Sequence, residues 1–410
     1  MKRYYQYVFL FLLSVGISYG QGEAAVPFLE MQPSPLLLGA GWIGAAIPMK
    51  NADDFYYNPA QLGYFSRENN FSVFFMPQTT NWMPHYADLE NNTFSAAAGY
   101  NFYNSHTELP LSIGIGYMHY KIDYGMTRII TPSNPVLDKS YTTYDSFNCF
   151  SVGASYDYFL LFNLGFSIKS FTSYLGQNYE VNSTAYDLGA MITAPVSKLF
   201  FDNPKFDLGS QNFLKPKFDI TVGYSLLNLG KKIYYVDPAQ SDPIPRTARL
   251  GYTFDFGLEL NSSWIKNLNA FEYSFTAEAD DILINRDSYG NSSYQNMFGD
   301  ISIGDNLINL EANSKVEVHR GHIFRFFDTI IIISGRQDGR GNNDANRKSN
   351  GFGISTDGLF KLFNSTVDDP IINYISNHFT MEYYDVNVFA SSILETNLKG
   401  LVLNYRGLEL

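Results

Sequence analysis

One cysteine, Cys149, stands among 410 residues. No intramolecular disulfide can form, and whatever steadies the chain outside the cytoplasm is non-covalent. Flanked by Phe147 and Phe150, Cys149 reads as a packed residue rather than a reactive thiol. Charge is also scarce, at 17% of residues against about a quarter in ordinary domains. Its basic part is the scarcer, 28 residues to 40 acidic, for a net −12. That sign is wrong for neutralising phosphates, so nucleic acid is excluded as a partner. Long apolar runs are missing too. Beyond residue 20 compact ones such as Ile330 to Ile333 stay far below the ~18 residues with which a helix crosses a bilayer. Mean hydropathy is −0.15. What is abundant is rings: 34 Phe, 31 Tyr and 3 Trp beside 32 Gly and only 17 Pro, a composition that argues against disorder.

The first twenty residues read as a secretory signal peptide. Met1-Lys2-Arg3 gives the positive start, Val8 to Ile17 the short apolar stretch, and Ser18-Tyr19-Gly20 the small residues expected before cleavage at Gln21.

After it, apolar and polar residues alternate with period two. Phe218, Ile220, Val222 and Tyr224 alternate with Asp219, Thr221, Gly223 and Ser225. Phe271, Tyr273, Phe275 and Ala277 alternate with Glu272, Ser274, Thr276 and Glu278. Leu250, Tyr252, Phe254 and Phe256 face away from Arg249, Gly251, Thr253 and Asp255; Phe162, Leu164, Phe166 and Ile168 from Asn163, Gly165, Ser167 and Lys169. Such segments predict strands at 70–77, 93–102, 109–123, 147–158, 160–175, 185–196, 217–230, 248–258, 270–284, 307–319, 329–339, 350–362, 378–390 and 396–408. Phase slips at Tyr383-Tyr384 suggest a bulge. About fourteen strands with one apolar face fit an all-β chain, a transmembrane outer-membrane barrel of antiparallel strands, better than a sandwich. Segments 125–146, 231–247 and 285–306 are then long extracellular loops, and 197–216 is an unusually long connection on the opposite side.

Residues 21–69, ahead of the barrel at 70–410, lack strong alternation. Gly39, Gly41 and Gly44 match the dinucleotide fingerprint G-x-G-x-x-G, but without the strand and crossover helix that would make it work. Small residues there suit close backbone packing in a lumen, which makes the segment a candidate hatch. Asp53, Asp54, Tyr56, Asn58, Pro59 and Ala60 are its candidate ligand-binding residues; the competing reading is that Asn58-Pro59-Ala60 simply builds a turn.

The stretch 38–62, with Gly39-Ala40-Gly41, Ala45-Ala46, Asp53-Asp54, Tyr56-Tyr57 and Asn58-Pro59-Ala60-Gln61-Leu62, resembles the opening of FadL-like outer-membrane barrels, and more narrowly the PorV/PorQ branch. The Trp82-containing segment 77–84, and Leu227-Asn228-Leu229-Gly230 followed by Ile244-Pro245-Arg246, are similar to that branch's hairpins. The resemblance implies a fourteen-stranded barrel with a folded-back hatch. It also implies a non-enzymatic part in type IX-like protein export, through contacts with secreted cargo or a translocon. Two other roles compete: passive transport of a hydrophobic small molecule, and lipid A modification. Pro48-Met49-Lys50 and the non-aromatic C-terminus depart from the family pattern.

Catalytic signals are weak. His85, His106, His119, His319, His322 and His378 are scattered, and His319-Arg320-Gly321-His322, the one close pair, reads as a strand end and turn rather than a metal site. Residues 338–344 look like a calcium loop with Arg340 in a ligand place and no closing Glu. Asp280-Asp281 and Asp368-Asp369 read as solvated strand ends. The Gly-x-Ser-x-Gly string 16–20 leaves with the leader. No catalytic residue, metal or cofactor is expected; outer-membrane lipid is the expected surrounding.

Overall fold

The structure is a computed structural model describing residues 24–407 except 69, 85–88, 103–108, 132–133, 202–203, 211, 263–264, 266, 288–289, 340–346 and 367–368. The leader, its cleavage point, His85, His106, Arg340 with the rest of its loop to residue 344, Asp368 and residues 408–410 lie outside the described residues.

Alternating segments cannot satisfy their backbone alone, and each pairs antiparallel with its neighbour in the chain. The strands are β1 (Phe71–Trp82), β2 (Leu89–Asn101), β3 (Leu111–Thr131), β4 (Asn134–Tyr158), β5 (Leu160–Gly176), β6 (Tyr179–Ala194), β7 (Phe206–Gly209), β8 (Asn212–Gly230) and β9 (Thr247–Asn261). They continue with β10 (Leu268–Ile282), β11 (Ile284–Arg286), β12 (Ser292–Tyr294), β13 (Val316–Phe326), β14 (Ile330–Asp338), β15 (Lys348–Ser355), β16 (Phe379–Val388) and β17 (Thr396–Tyr405). β1 pairs with β17 and β6 with β8, so fourteen strands close into a barrel. β7 only extends β8 as a hairpin, and β11 pairs with β12 alone.

The pleat then sorts the side chains. Ile115, Phe150, Leu164, Val222, Ile332 and Leu403 point outward and are exposed, on six different strands around the ring. Their inward neighbours Ser167, Lys169, Thr221, Ser225, Thr253, Thr276 and Glu278 are buried. An apolar girdle outside polar walls is the arrangement a bilayer selects, because it leaves no backbone edge in hydrocarbon and no polar face against it. All four alternating stretches read from the sequence have their polar face in the lumen.

Four expectations are corrected. Segment 125–146 is not a loop: β3 and β4 continue through it, pairing Met126 with Thr142 and Ile129 with Lys139. At 21 and 25 residues they outrun the ~10 needed to span, and a strand above the bilayer needs no apolar face. The strand predicted at 307–319 begins only at Val316. Ahead of it Ile303–Ile308 coils into a wide helical turn, where Leu307 packs on Ala279 and Val316 rather than on lipid. β15 stops at Ser355, and 357–362 belong to the helix Asp357–Thr366; a second helix, Pro370–His378, is capped by the Asp369 carboxylate, which accepts from Ile371 and Ile372 N–H. Finally, β16 runs through Tyr383-Tyr384 in unbroken register with both neighbours, so no bulge lies there.

The connections at 231–246 and 283–315 leave one end of the barrel; the one containing β7 and the helical one at 356–378 leave the other, with both barrel termini.

Candidate functional site

Residues 24–68 thread the lumen and are buried over most of their length. Their own signals are short: Pro35 starts the helix Pro35–Gly39, and Asn58-Pro59-Ala60 leads into the helix Gln61–Phe65. Neither is long enough to be stable alone, so the wall must hold them.

The wall does so by having no side chains where the hatch crosses it. Gly99, Gly114, Gly153, Gly165 and Gly189 lie directly opposite one another across β2 to β6. A Cβ on Gly165 would stand 2.1 Å from the carbonyl carbon of Pro59, one on Gly114 2.3 Å from Leu62 O, and one on Gly223 of β8 2.0 Å from Ala45 O. Hatch backbone therefore lies directly on barrel backbone, which only glycine permits.

On this belt sit the candidate residues. The Asn58 side chain donates to Ala45 O at 2.6 Å and, more weakly, to Ala190 O and Tyr224 O on the wall, while its Oδ1 accepts from Ala60 N at 3.0 Å. It ties two hatch segments and the barrel together, and Pro59 and Ala60 lie against Gly165: the turn is there, serving as a lock. Tyr56 donates to Leu29 O and stacks on Phe147, with the Lys169 ammonium 4.0 Å from its ring centre. That lysine pairs with Asp187 at 3.0 Å and bonds Asn228, the asparagine of the hairpin segment at 227–230. Asp54 accepts from Asn51 N at 2.9 Å and from the Ser34 hydroxyl. Asp53 is fully buried and neither of its oxygens has a hydrogen-bond partner. Burial pushes its carboxyl up to about 7, and burial with the Asp53 charge pushes that of Asp54 well above its usual range. The structure thus gathers the six residues inside the hatch, where all but Asp53 make packing or locking contacts.

Gly39, Gly41 and Gly44 serve close approach, not phosphate. A Cβ on Gly41, whose φ is +88°, would stand 2.7 Å from Arg320 O and Arg336 N. After them the backbone curls into a cradle: Gly44, Ala45 and Ala46 N–H all point at the Glu278 carboxylate of β10, at 2.8 to 3.1 Å. Successive N–H groups round one anion form such a nest without a helix. Arg249 completes it, donating to Trp42 O at 2.6 Å and to Asp280 at 3.2 Å with its guanidinium over the Tyr57 ring. Glu278 and Arg249 were legible as polar strand positions, but nothing in the sequence marks them as anchors. Trp82 closes an aromatic cluster with Trp42 and Phe389.

Asp280 and Asp281 are buried, not solvated, because they point to opposite sides of β10: Asp280 into the lumen, Asp281 onto Asp300 N at 2.6 Å. His319 and His322 lie mid-strand rather than at a turn. Three residues apart on a strand, they face opposite ways: His319 bonds Gly41 in the lumen, and His322 stacks on Tyr273 outside. Cys149 is fully buried beside Ser151.

Two cavities flank the hatch. Toward the end with the 231–246 and 283–315 connections, about 310 Å³ is lined by Trp42, Tyr57, Phe389 and Leu394 and by Arg249, His319 and acids. Toward the opposite end, about 220 Å³ is lined by charge, including Lys50, Arg325, Glu382, Lys361 and Asp357. Arg325 pairs with Glu382, Lys361 with Asp328 and Asp357, and Arg406 with Asp357. The unusual Pro48-Met49-Lys50 is part of this lining.

No family model and no curated protein matches the chain. Among solved structures it is similar to the Pseudomonas putida toluene transporter TodX, at 9% identity over 91% of this chain and 97% of that one, TM-score 0.40. It is likewise similar to the monoaromatic hydrocarbon channel CymD (9% identity, 92% and 97%, TM-score 0.36) and to LpxR from Salmonella typhimurium (8%, 82% and 99%, TM-score 0.32). With every such TM-score below 0.5, what the chain does has to be read from its own lumen.

Proposed function

We propose that this barrel sits in the outer membrane of a Gram-negative cell and passes small hydrophobic or amphipathic molecules, chemically unchanged, past a hatch that is part of its own chain. The observation that carries this is the plugged lumen. With residues 24–68 inside, the interior leaves spaces of about 310 and 220 Å³, of the order that holds a small ligand and far too small for a polypeptide. The larger space is lined by Trp42, Tyr57, Phe389 and Leu394 together with Arg249, His319 and acids, a mixture that suits a molecule with an apolar body and a polar end. The apolar girdle supports the membrane setting. A part in PorV/PorQ-like export would act through the rims, since residues 24–68 occupy the lumen between these spaces.

The test compares uptake of a fluorescent long-chain fatty acid by cells with and without the gene. Uptake slowed by deletion and restored by the wild-type chain is the expected result. Normal uptake in the deletion strain, with secreted proteins stranded in the periplasm, would overturn the proposal in favour of export.

A further inference from the structure

Three potential ligand groups converge on the larger cavity: Asp280 from β10 and Glu317 and His319 from β13. One donor atom from each lies within 4.8 Å of the others, and all three residues are buried. β10 and β13 are paired, with Glu278 opposite His319 and Asp280 opposite Glu317, so the pleat points all of these side chains to the lumen.

The imidazole is what turns an acidic corner into a site. His319 is 1% exposed, and its Nδ1 stands 2.9 Å from Gly41 O. A carbonyl can only accept, so Nδ1 carries a proton, and in the neutral ring Nε2 keeps a lone pair. That Nε2 has no hydrogen-bond partner and faces Asp280 Oδ1 at 3.5 Å. In the neutral ring that lone pair faces a carboxylate across 3.5 Å, shut away from water, which is unfavourable unless a cation, a proton or a metal ion, lies between them. A histidine whose other nitrogen is held by a backbone carbonyl is the arrangement typical of a metal ligand. The carboxylates are braced in the same way. Glu317 accepts from Arg347 at 2.9 Å and from Gln337, and Asp280 accepts from Arg249 on its other oxygen. These contacts orient both carboxylates, each of which has about four lone-pair directions.

We propose that His319, Asp280 and Glu317 bind a divalent transition metal of the Zn²⁺ type, on the outward side of the hatch. The nitrogen ligand selects against Ca²⁺ and Mg²⁺, which take oxygen shells. Through the Nδ1 bond to Gly41, the metal would fasten the hatch to β13. This goes beyond the transport reading and stands or falls separately from it.

The test uses untagged full-length barrel folded in detergent, stripped with EDTA and titrated calorimetrically with ZnCl₂, CaCl₂ or MgCl₂. One Zn²⁺ per chain is expected, with no comparable binding of the other two. His319→Gln and Asp280→Asn should each weaken Zn²⁺ binding by at least about tenfold. His322→Gln, on the outer face of the same strand, should leave it unchanged. Altered gel mobility on boiling checks that each variant folds. X-ray absorption on the zinc-loaded wild type needs no variant at all, and should show one imidazole nitrogen with oxygens at about 2.0–2.2 Å. Absence of stoichiometric zinc, zinc binding indifferent to His319→Gln, an oxygen-only shell, or preference for Ca²⁺ would each overturn the proposal.

Discussion

Replacing Gly165 by alanine should release the hatch while leaving the barrel closed. The new Cβ would stand 2.1 Å from the Pro59 carbonyl carbon and 2.3 Å from Ala60 N, where ordinary contact begins at 3.4 Å. The hatch would have to withdraw by about 1.3 Å, and the atoms in the way are backbone, which cannot turn aside like the end of a side chain. Overpacking of this kind costs about 1–3 kcal/mol, a factor of about 5 to 150 in the ratio of released to docked hatch. The barrel is spared because Gly165 pairs with Gly153 and Gly189 through main-chain bonds that a methyl group does not touch. Hydrogen exchange at residues 58–63 should therefore quicken by that factor, and conductance in planar bilayers should rise, with gel mobility on boiling unchanged. Gly257→Ala is the control, since its nearest neighbour, Lys217 Cβ, would lie at 3.4 Å. Unchanged exchange and conductance in Gly165→Ala, or an equal effect from Gly257→Ala, would refute the argument that the belt seats the hatch.

Glu278→Ala should destabilise hatch docking by about 3–5 kcal/mol, the usual cost of removing one member of a buried charged cluster. It strands the N–H groups of Gly44, Ala45 and Ala46 and leaves Arg249 beside them with one carboxylate fewer; exchange at 44–46 measures it. Docking should also depend on pH through Asp53. The docked hatch holds that carboxyl at about 7 and an undocked one near 3.8, so the docked state binds the extra proton between those values. Docking is tightest below about 4 and weakens as pH rises toward 7. Asp54, raised for the same reason, adds in the same direction. Exchange of hatch amides compared at pH 5 and pH 8 should show the slope, and Asp53→Asn should flatten it.

The barrel is legible in the sequence by itself because a membrane strand is a local code. Its outward residues must be apolar whatever the neighbouring strands are, so Phe162-Leu164-Phe166-Ile168 and Phe218-Ile220-Val222 declare both the strand and its faces. Where that rule lapses, the sequence misleads. Above the bilayer, β3 and β4 continue through a segment that reads as a loop, and at 303–308 Leu307 packs on the barrel's own outer wall instead of on lipid. The hatch is legible as a segment, by its missing alternation and its small residues, but its anchorage is not. Gly165 and Gly223 stand in plain view as members of polar faces, and a glycine in a strand signals close backbone approach. Which backbone approaches depends on residues more than a hundred positions away. The same holds for Glu278, gripped by Gly44 to Ala46 across more than 230 residues, and for His319, which along the chain looks paired with His322. The two-residue period sends those histidines to opposite faces, and only strand pairing and the threading of the hatch bring His319 to Asp280, Glu317 and Gly41. Alternation answers to the solvent on each face and can be read from the sequence, whereas the lumen is assembled from distant segments that meet only once the ring has closed.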